Sequence, residues 1–141
     1  MRLEWIGAAR KDGLERVSRD VERFIAGNID SVGQLEVLLL VRSDPERYWS
    51  ATEVSRALRS GRTWAEVQLE YLRVEGLLGA GEINDPRCRY DPARPELEPV
   101  ITRVSEAFES QRAEVIRLVF SQRPSERLRT FSEAFRLRKE Q

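Results

Sequence analysis

Thr63 to Leu78 reads TWAEVQLEYLRVEGLL, and this stretch decides how the rest of the chain is read. Thr63 stands three residues ahead of Glu66, the spacing of a capping box. In that motif the hydroxyl accepts from the N3 amide while the N3 side chain accepts from the cap amide. The stretch therefore predicts a helix that starts at Thr63, and its end, Leu72-Arg-Val-Glu-Gly-Leu-Leu78, reads as the closing turns of that helix.

The same spacing occurs twice upstream, at Ser31-Val-Gly-Gln34 and Ser50-Ala-Thr-Glu53. A lost cap costs about 1 kcal/mol, so each box is a real start signal, and three boxes in 36 residues predict three short helices in succession. The first carries Leu35, Val37, Leu38, Leu39, Leu40 and Val41 and ends near Ser43-Asp-Pro45, because proline disfavours helix at the residue before it. Apolar on all sides, it is expected at the centre of the core. The second runs from Glu53 to about Arg59 and stops at Ser60-Gly61. About three or four residues then separate it from the third, the connection length of a helix-turn-helix.

Beyond the third helix, Gly79-Ala-Gly-Glu-Ile83 and Arg87-Cys-Arg-Tyr90 flank an Asn84-Asp85-Pro86 turn signal and predict a hairpin. Helix, helix-turn-helix and hairpin in that order give a mostly α fold with a small β-hairpin wing, a winged helix. Residues 31–92, and the signature Leu69-x-x-Leu72-x-x-x-Gly76-Leu77-Leu78 followed by a hairpin ending in Tyr90, resemble a bacterial winged helix-turn-helix domain of the kind found in small transcriptional regulators. That signature is shared by families that do and do not bind DNA, so the resemblance implies a fold before it implies a function.

Helices are expected on both sides of this unit. Leu14, Val17, Val21, Phe24 and Ile25 follow an amphipathic period that ends at Gly27-Asn28, and Leu3, Trp5 and Ile6 suggest a short docking segment within residues 1–9. After Glu96-Leu-Glu-Pro99, the residues Leu97, Ile101, Val104, Phe108, Gln111, Val115 and Leu118 recur every three or four residues and predict one long helix to Phe120. Ser121-Gln-Arg-Pro-Ser125 breaks it, and a last helix carries Leu128, Phe131, Phe135 and Leu137. The expected organisation is an N-terminal helical segment over 1–30, the winged helix over 31–92 and a C-terminal helical arm of two helices over 93–141.

Composition narrows the chemistry. The chain has 141 residues, 24 basic and 24 acidic, so no strong global field draws it to nucleic acid or to an anionic membrane, and any DNA binding must use a local patch. Lys11 and Lys139 are the only lysines among the basic residues, a bias that fits a GC-rich bacterial genome. Histidine is absent, which removes the commonest general base and transition-metal ligand. Phosphate loops and nucleophile elbows are also missing, and the carboxylate pairs Glu66/Glu70 and Glu106/Glu109 read as solvated faces, so neither an enzyme nor a cofactor or metal is expected. One cysteine, no apolar run of roughly 18 residues and no signal peptide lead to the expectation of a cytoplasmic protein without disulfides or a membrane partner. Cys88, between Arg87 and Arg89, is either a thiol of lowered pKa or a small packed hydrophobe, and the second role is the commoner. The final helix is basic and aromatic, with Arg127, Arg129, Arg136, Arg138 and Lys139, but Glu126, Glu133 and Glu140 dilute that charge.

On a helical wheel Ala65, Leu69, Leu72 and Gly76 share the side that the resemblance places on the core. The other side then offers Thr63, Val67, Glu70, Tyr71 and Val74, with Trp64 and Glu66 on its flanks. A groove-reading helix normally offers Arg, Lys, Asn, Gln or Ser, so two functions stay open. The first is binding of duplex DNA by a regulator-like protein, with Arg56, Arg59, Arg62, Arg87 and Arg89 on phosphates and Thr63 and Gln68 as base or backbone contacts. The alternative is a protein-interaction module that docks a partner on Trp64, Val67, Tyr71 and Val74. In either case Leu97, Ile101, Val104, Phe108, Val115 and Leu118 are expected to pair with a second copy in a two-fold dimer.

Overall fold

The computed structural model describes residues 17–82 and 85–121. In chain order it forms α1 (Arg19–Asn28), α2 (Val32–Arg42), α3 (Ala51–Leu58), α4 (Arg62–Val74), β1 (Leu78–Ala80), β2 (Cys88–Tyr90), α5 (Leu97–Ser110) and α6 (Arg112–Phe120). The expected segment at residues 1–9, Leu14, the hairpin residues Ile83 and Asn84, and the final helix with its basic and aromatic residues lie outside the described residues.

The fold is the expected one, mostly helical with an antiparallel two-stranded wing. In it α2 packs on α3, α4 and β2, α3 on α4, and α4 on β1. Leu35, Val37, Leu38 and Val41 of α2 are fully inaccessible, as a helix apolar all round must be at the centre of a core. Leu78 pairs with Tyr90 and Ala80 with Cys88. A third edge joins the hairpin: Trp49 N donates to the Cys88 carbonyl at 2.7 Å, and Cys88 N donates to that of Trp49 at 3.0 Å.

The three expected caps behave differently. Ser50 and Glu53 complete their box, with Glu53 N to Ser50 Oγ at 3.1 Å and Ser50 N to Glu53 Oε1 at 3.0 Å. Ser31 accepts from Gln34 N at 3.0 Å, but the Gln34 side chain reaches past the cap, accepting from Asp30 N at 3.1 Å and donating to Gln68 Oε1 at 2.9 Å. Thr63 is not a cap. Helix α4 starts at Arg62 with Gly61 as its N-cap, Ala65 N bonds the Gly61 carbonyl at 3.0 Å, and Glu66 turns to Arg62 instead.

The early start follows from how α3 ends. Ser60 N bonds the Ser55 carbonyl at 2.9 Å around Arg59, which adopts the left-handed conformation at φ 55° and ψ 49°. The end of α4 has the same geometry around Gly76 at φ 84°, where Leu77 N bonds the Leu72 carbonyl at 3.0 Å and feeds the chain into β1. Glycine adopts that conformation at little steric cost, whereas arginine does not.

The arm departs from expectation. Leu97 to Phe120 is two helices rather than one, broken at Gln111 (φ −133°, ψ 47°). Both pack on α1. A straight helix of this length would span about 36 Å, whereas the ten residues of α1 span about 15 Å, so the break lets both halves of the arm lie on the same short partner. One contiguous core joins the segments from Val17 to Val119.

A polar clasp ties the wing to the arm. Arg42 of α2 donates to Glu98 Oε2 at 3.1 Å and to Thr102 Oγ1 at 2.6 Å, and the Tyr90 hydroxyl at the end of β2 donates to the other Glu98 oxygen. Burial pushes the Glu98 pKa up, but the hydrogen bonds from Tyr90, Thr102 and Arg42 outweigh it and hold the carboxyl below its ordinary value. Asp20, bonded by Ser18 and Arg103, and Glu53, bonded by the Ser50 amide, are lowered too. A carboxyl lowered by folding stabilises the fold above its unfolded pKa, and that contribution is lost as pH falls through the folded value. Thermal melts from pH 7 down to pH 3 should therefore show a falling midpoint below about pH 5, and Glu98→Gln should make the fall shallower.

Candidate nucleic-acid interface

The turn between α3 and α4 gathers Arg56, Arg59, Arg62 and Thr63, all exposed. Arg56 lies in the last turn of α3, Arg59 in the left-handed position that ends it, and Arg62 and Thr63 in the first turn of α4. Among the described residues no ion pair is formed by Arg56 or Arg59, while Arg62 holds Glu66 at 3.3 Å with its own side chain 69% exposed. Among the described residues no side chain caps the N-terminus of α4, which leaves its first amides open to an anion beside these three cations.

The wing adds Arg87 and Arg89, which share one face as their spacing requires. Both guanidinium groups approach the Tyr48 ring, at 5.9 and 5.3 Å from its centroid. Each is also ion-paired, Arg87 with Asp85 at 2.8 Å and Arg89 with Glu46 at 3.6 Å. Exposed pairs of this kind are worth little and give way to a stronger anion. Tyr48 and Glu46 escaped the sequence reading. The only sequence signal for them was an aromatic pair, Tyr48-Trp49, immediately ahead of the Ser50 cap.

Three α4 residues expected to make contacts, Gln68 with DNA and Tyr71 and Trp64 with a protein partner, face inward. Gln68 is 6% exposed and bonded to Gln34, which removes it from any surface contact. Tyr71 is 2% exposed within the core. Trp64 packs against that core from the flank, its ring so close to Gly33 of α2 that a β-carbon there would lie 2.8 Å from it. The physical reason is that α4 is wedged against α2, α3 and β1 together and buries more of its circumference than one partner would cover. What remains outside is Arg62, Thr63, Glu66, Val67, Glu70, Arg73 and Val74, with Val74 at 55% exposure. The arginines and glutamates form two pairs, Arg62 with Glu66 and Arg73 with Glu70, the second through Nε to Oε1 at 2.9 Å and a further NH2 contact.

Of the arm residues expected to pair with a second copy, Ile101, Val104, Phe108 and Val115 are buried within their own chain, and Leu97 and Leu118 are half-buried. Cys88 is 4% exposed, and burial, followed by the nearby Glu70 charge, pushes its thiol up to about 11. It is a packed hydrophobe, and with Glu66 and Glu70 it lines a crevice of about 340 Å³ between α4, the start of α3 and the wing. Among the described residues no cluster of acidic or cysteine side chains could hold a metal ion, and no single helix is long and apolar enough to cross a membrane.

Arg59 supplies a direct test of the turn. The left-handed conformation costs a non-glycine residue roughly 1–2 kcal/mol, and glycine returns roughly 0.5–1 kcal/mol of that through its larger unfolded-state entropy. Arg59→Gly should therefore stabilise the fold by about 0.5–1 kcal/mol in urea denaturation.

No protein-family model matches the chain, and no curated protein matches it. Among solved structures, a MarR transcriptional regulator from Methanosarcina mazei Go1 is similar at a TM-score of 0.47 and 16% identity, over 98% of this chain and 96% of that one. The winged-helix assignment rests on the element order, the hairpin register and the turn geometry of the chain itself.

Proposed function

We propose that this protein is a transcriptional-regulator-like protein that binds duplex DNA through its helix-turn-helix. Arg56, Arg59 and Arg62 take phosphates at the turn, Thr63 and the open amides of α4 add a backbone contact, and Arg87 and Arg89 of the wing reach an adjacent phosphate or the minor groove. The observation that carries this reading is Arg59. It is an exposed arginine without an ion-pair partner among the described residues, held in a conformation that costs stability and placed beside an uncapped helix N-terminus. Strain of this kind persists where a side chain is needed, and a guanidinium there has an anion as its natural counterpart.

The protein-partner reading loses its aromatic anchors, because Tyr71 and most of Trp64 are taken up by the chain's own core, leaving Val67 and Val74. A two-fold dimer built on the arm would have to use its remaining apolar surface, chiefly Phe120 at 76% exposure with Leu97 and Leu118. Molar mass in solution at micromolar concentration decides that point separately.

Titration of random-sequence duplex DNA at several salt concentrations tests the function. Five phosphate contacts imply a slope of log K against log salt near −4.5, from roughly −0.9 per contact. No detectable binding at low salt overturns the proposal.

A further inference from the structure

We propose that the crevice between α4, the start of α3 and the wing is a binding site for a small amphipathic organic cation, and that its occupancy strengthens DNA binding. The site goes beyond the reading of the turn as a DNA contact, whereas its effect on DNA rests on that reading. The crevice holds about 340 Å³, within the roughly 300–1,000 Å³ of small-molecule sites. Three parts of the fold supply its walls: Ala51 at the start of α3, Glu66, Leu69 and Glu70 of α4, and Pro86 and Cys88 of the wing.

The carboxylates set the sign of the ligand. Glu66 and Glu70 stand one helical turn apart on the same side of α4, with side chains only 19% and 27% exposed. A charge withdrawn from water is costly unless a counter-charge meets it. Arg62 meets Glu66 at 3.3 Å from the rim of the crevice, its own side chain 69% exposed. Arg73 holds Glu70 from outside the crevice. A carboxylate has about four acceptor sites, so neither pair uses up its capacity. An anion would meet two carboxylates here, and a neutral molecule would leave them without a counter-charge.

The other walls set its shape. Cys88 is a free thiol, 4% exposed, with no hydrogen-bonding partner for its sulfur among the described residues. Burial first, and the Glu70 charge next, keep that thiol neutral, so it offers a soft polarizable surface beside Leu69, Ala51 and Pro86. A ligand that suits both halves has a flat apolar body against these side chains and a cationic head on Glu66 and Glu70. A planar amidinium fits best, because it donates to a carboxylate through two parallel bonds. Occupancy reaches the turn through Arg62: a ligand cation on Glu66 takes the place of Arg62, which then turns to a DNA phosphate, and it cancels negative charge close to the phosphates. Linkage makes the effect reciprocal, so DNA tightens the ligand by the same factor.

Calorimetric titration of the full chain with benzamidine, an aryl amidinium, tests the site, with its neutral counterpart benzamide as comparator. Benzamidine should bind at one site per chain and benzamide roughly tenfold more weakly or worse. Glu66→Gln should weaken benzamidine by about tenfold, and Arg62→Ala, which removes the competing cation, should tighten it roughly twofold, each variant checked for native circular dichroism. Random-sequence duplex at low salt should bind roughly fivefold tighter when benzamidine is saturating. Absence of benzamidine binding, equal binding of benzamide, or unchanged affinity in a folded Glu66→Gln overturns the site; the benzamide and Arg62→Ala comparisons decide it if that variant does not fold. Benzamidine binding as expected with duplex affinity unaltered overturns the effect on DNA. A wild type that binds no duplex at low salt overturns the DNA reading and that effect with it, while the calorimetry still decides the site.

Discussion

Tyr71→Ala should destabilise the fold by about 3–5 kcal/mol, the cost of removing a large aromatic side chain from a packed interior. Tyr71 is 2% exposed and is among the bulkiest fully buried side chains, on the same helix as Leu69 and Leu72. A tyrosine waiting on the surface for a partner would behave differently, since truncation of an exposed side chain changes stability by about 0.5 kcal/mol or less. Total stabilities of 5–15 kcal/mol make the predicted loss a large fraction of the whole. Urea denaturation of the variant should show a lower midpoint at an unchanged m-value, with Val74→Ala, 55% exposed, as the comparator near zero. A loss below about 1 kcal/mol for Tyr71→Ala would restore the interaction face that its burial takes away.

Tyr71 also shows where the sequence stopped being informative. Local signals were enough for the elements: hydroxyl caps at Ser31 and Ser50, a Pro45 stop, a Gly76 exit and a turn before Arg87 set the order of helices and hairpin. Each depends on atoms a few residues apart. The facing of α4 depends instead on how many neighbours surround it, and α2, α3 and β1 enclose it on several sides. Gln68 is the same lesson in polar form, because its partner Gln34 is 34 residues away and no periodicity announces a buried amide pair. The break at Gln111 was equally hidden. The three-to-four-residue period continues through it with a polar residue in the stripe, and the short length of α1 is what makes the bend worthwhile. The five arginines were legible as a set. Their pairing was not read from the sequence, either for Arg87 with Asp85 two residues away or for Arg89 with the distant Glu46.

The largest functional effect is expected from the combined variant Arg56→Ala, Arg59→Gly and Arg62→Ala. Removing three of five phosphate contacts should flatten the slope of log K against log salt from near −4.5 to near −1.8, and with equal binding at 1 M salt it should weaken binding at 0.1 M by a few hundredfold. Stability should hardly move. Glycine at 59 contributes about 0.5–1 kcal/mol, loss of the Arg62–Glu66 pair costs about 0.3–0.5, and loss of Arg56 from the last turn of α3 costs about 0.3–1. A fold that keeps its melting point while losing its DNA affinity would separate recognition from structure at a single turn. The wing pair provides the internal control, because Arg87 and Arg89 must first leave Asp85 and Glu46 before reaching a phosphate, so their removal should weaken binding less per residue than removal of Arg56 or Arg59. If instead the wing variants dominate and the turn variants bind normally, Arg59 is not strained for the sake of DNA, and the turn is not the contact surface.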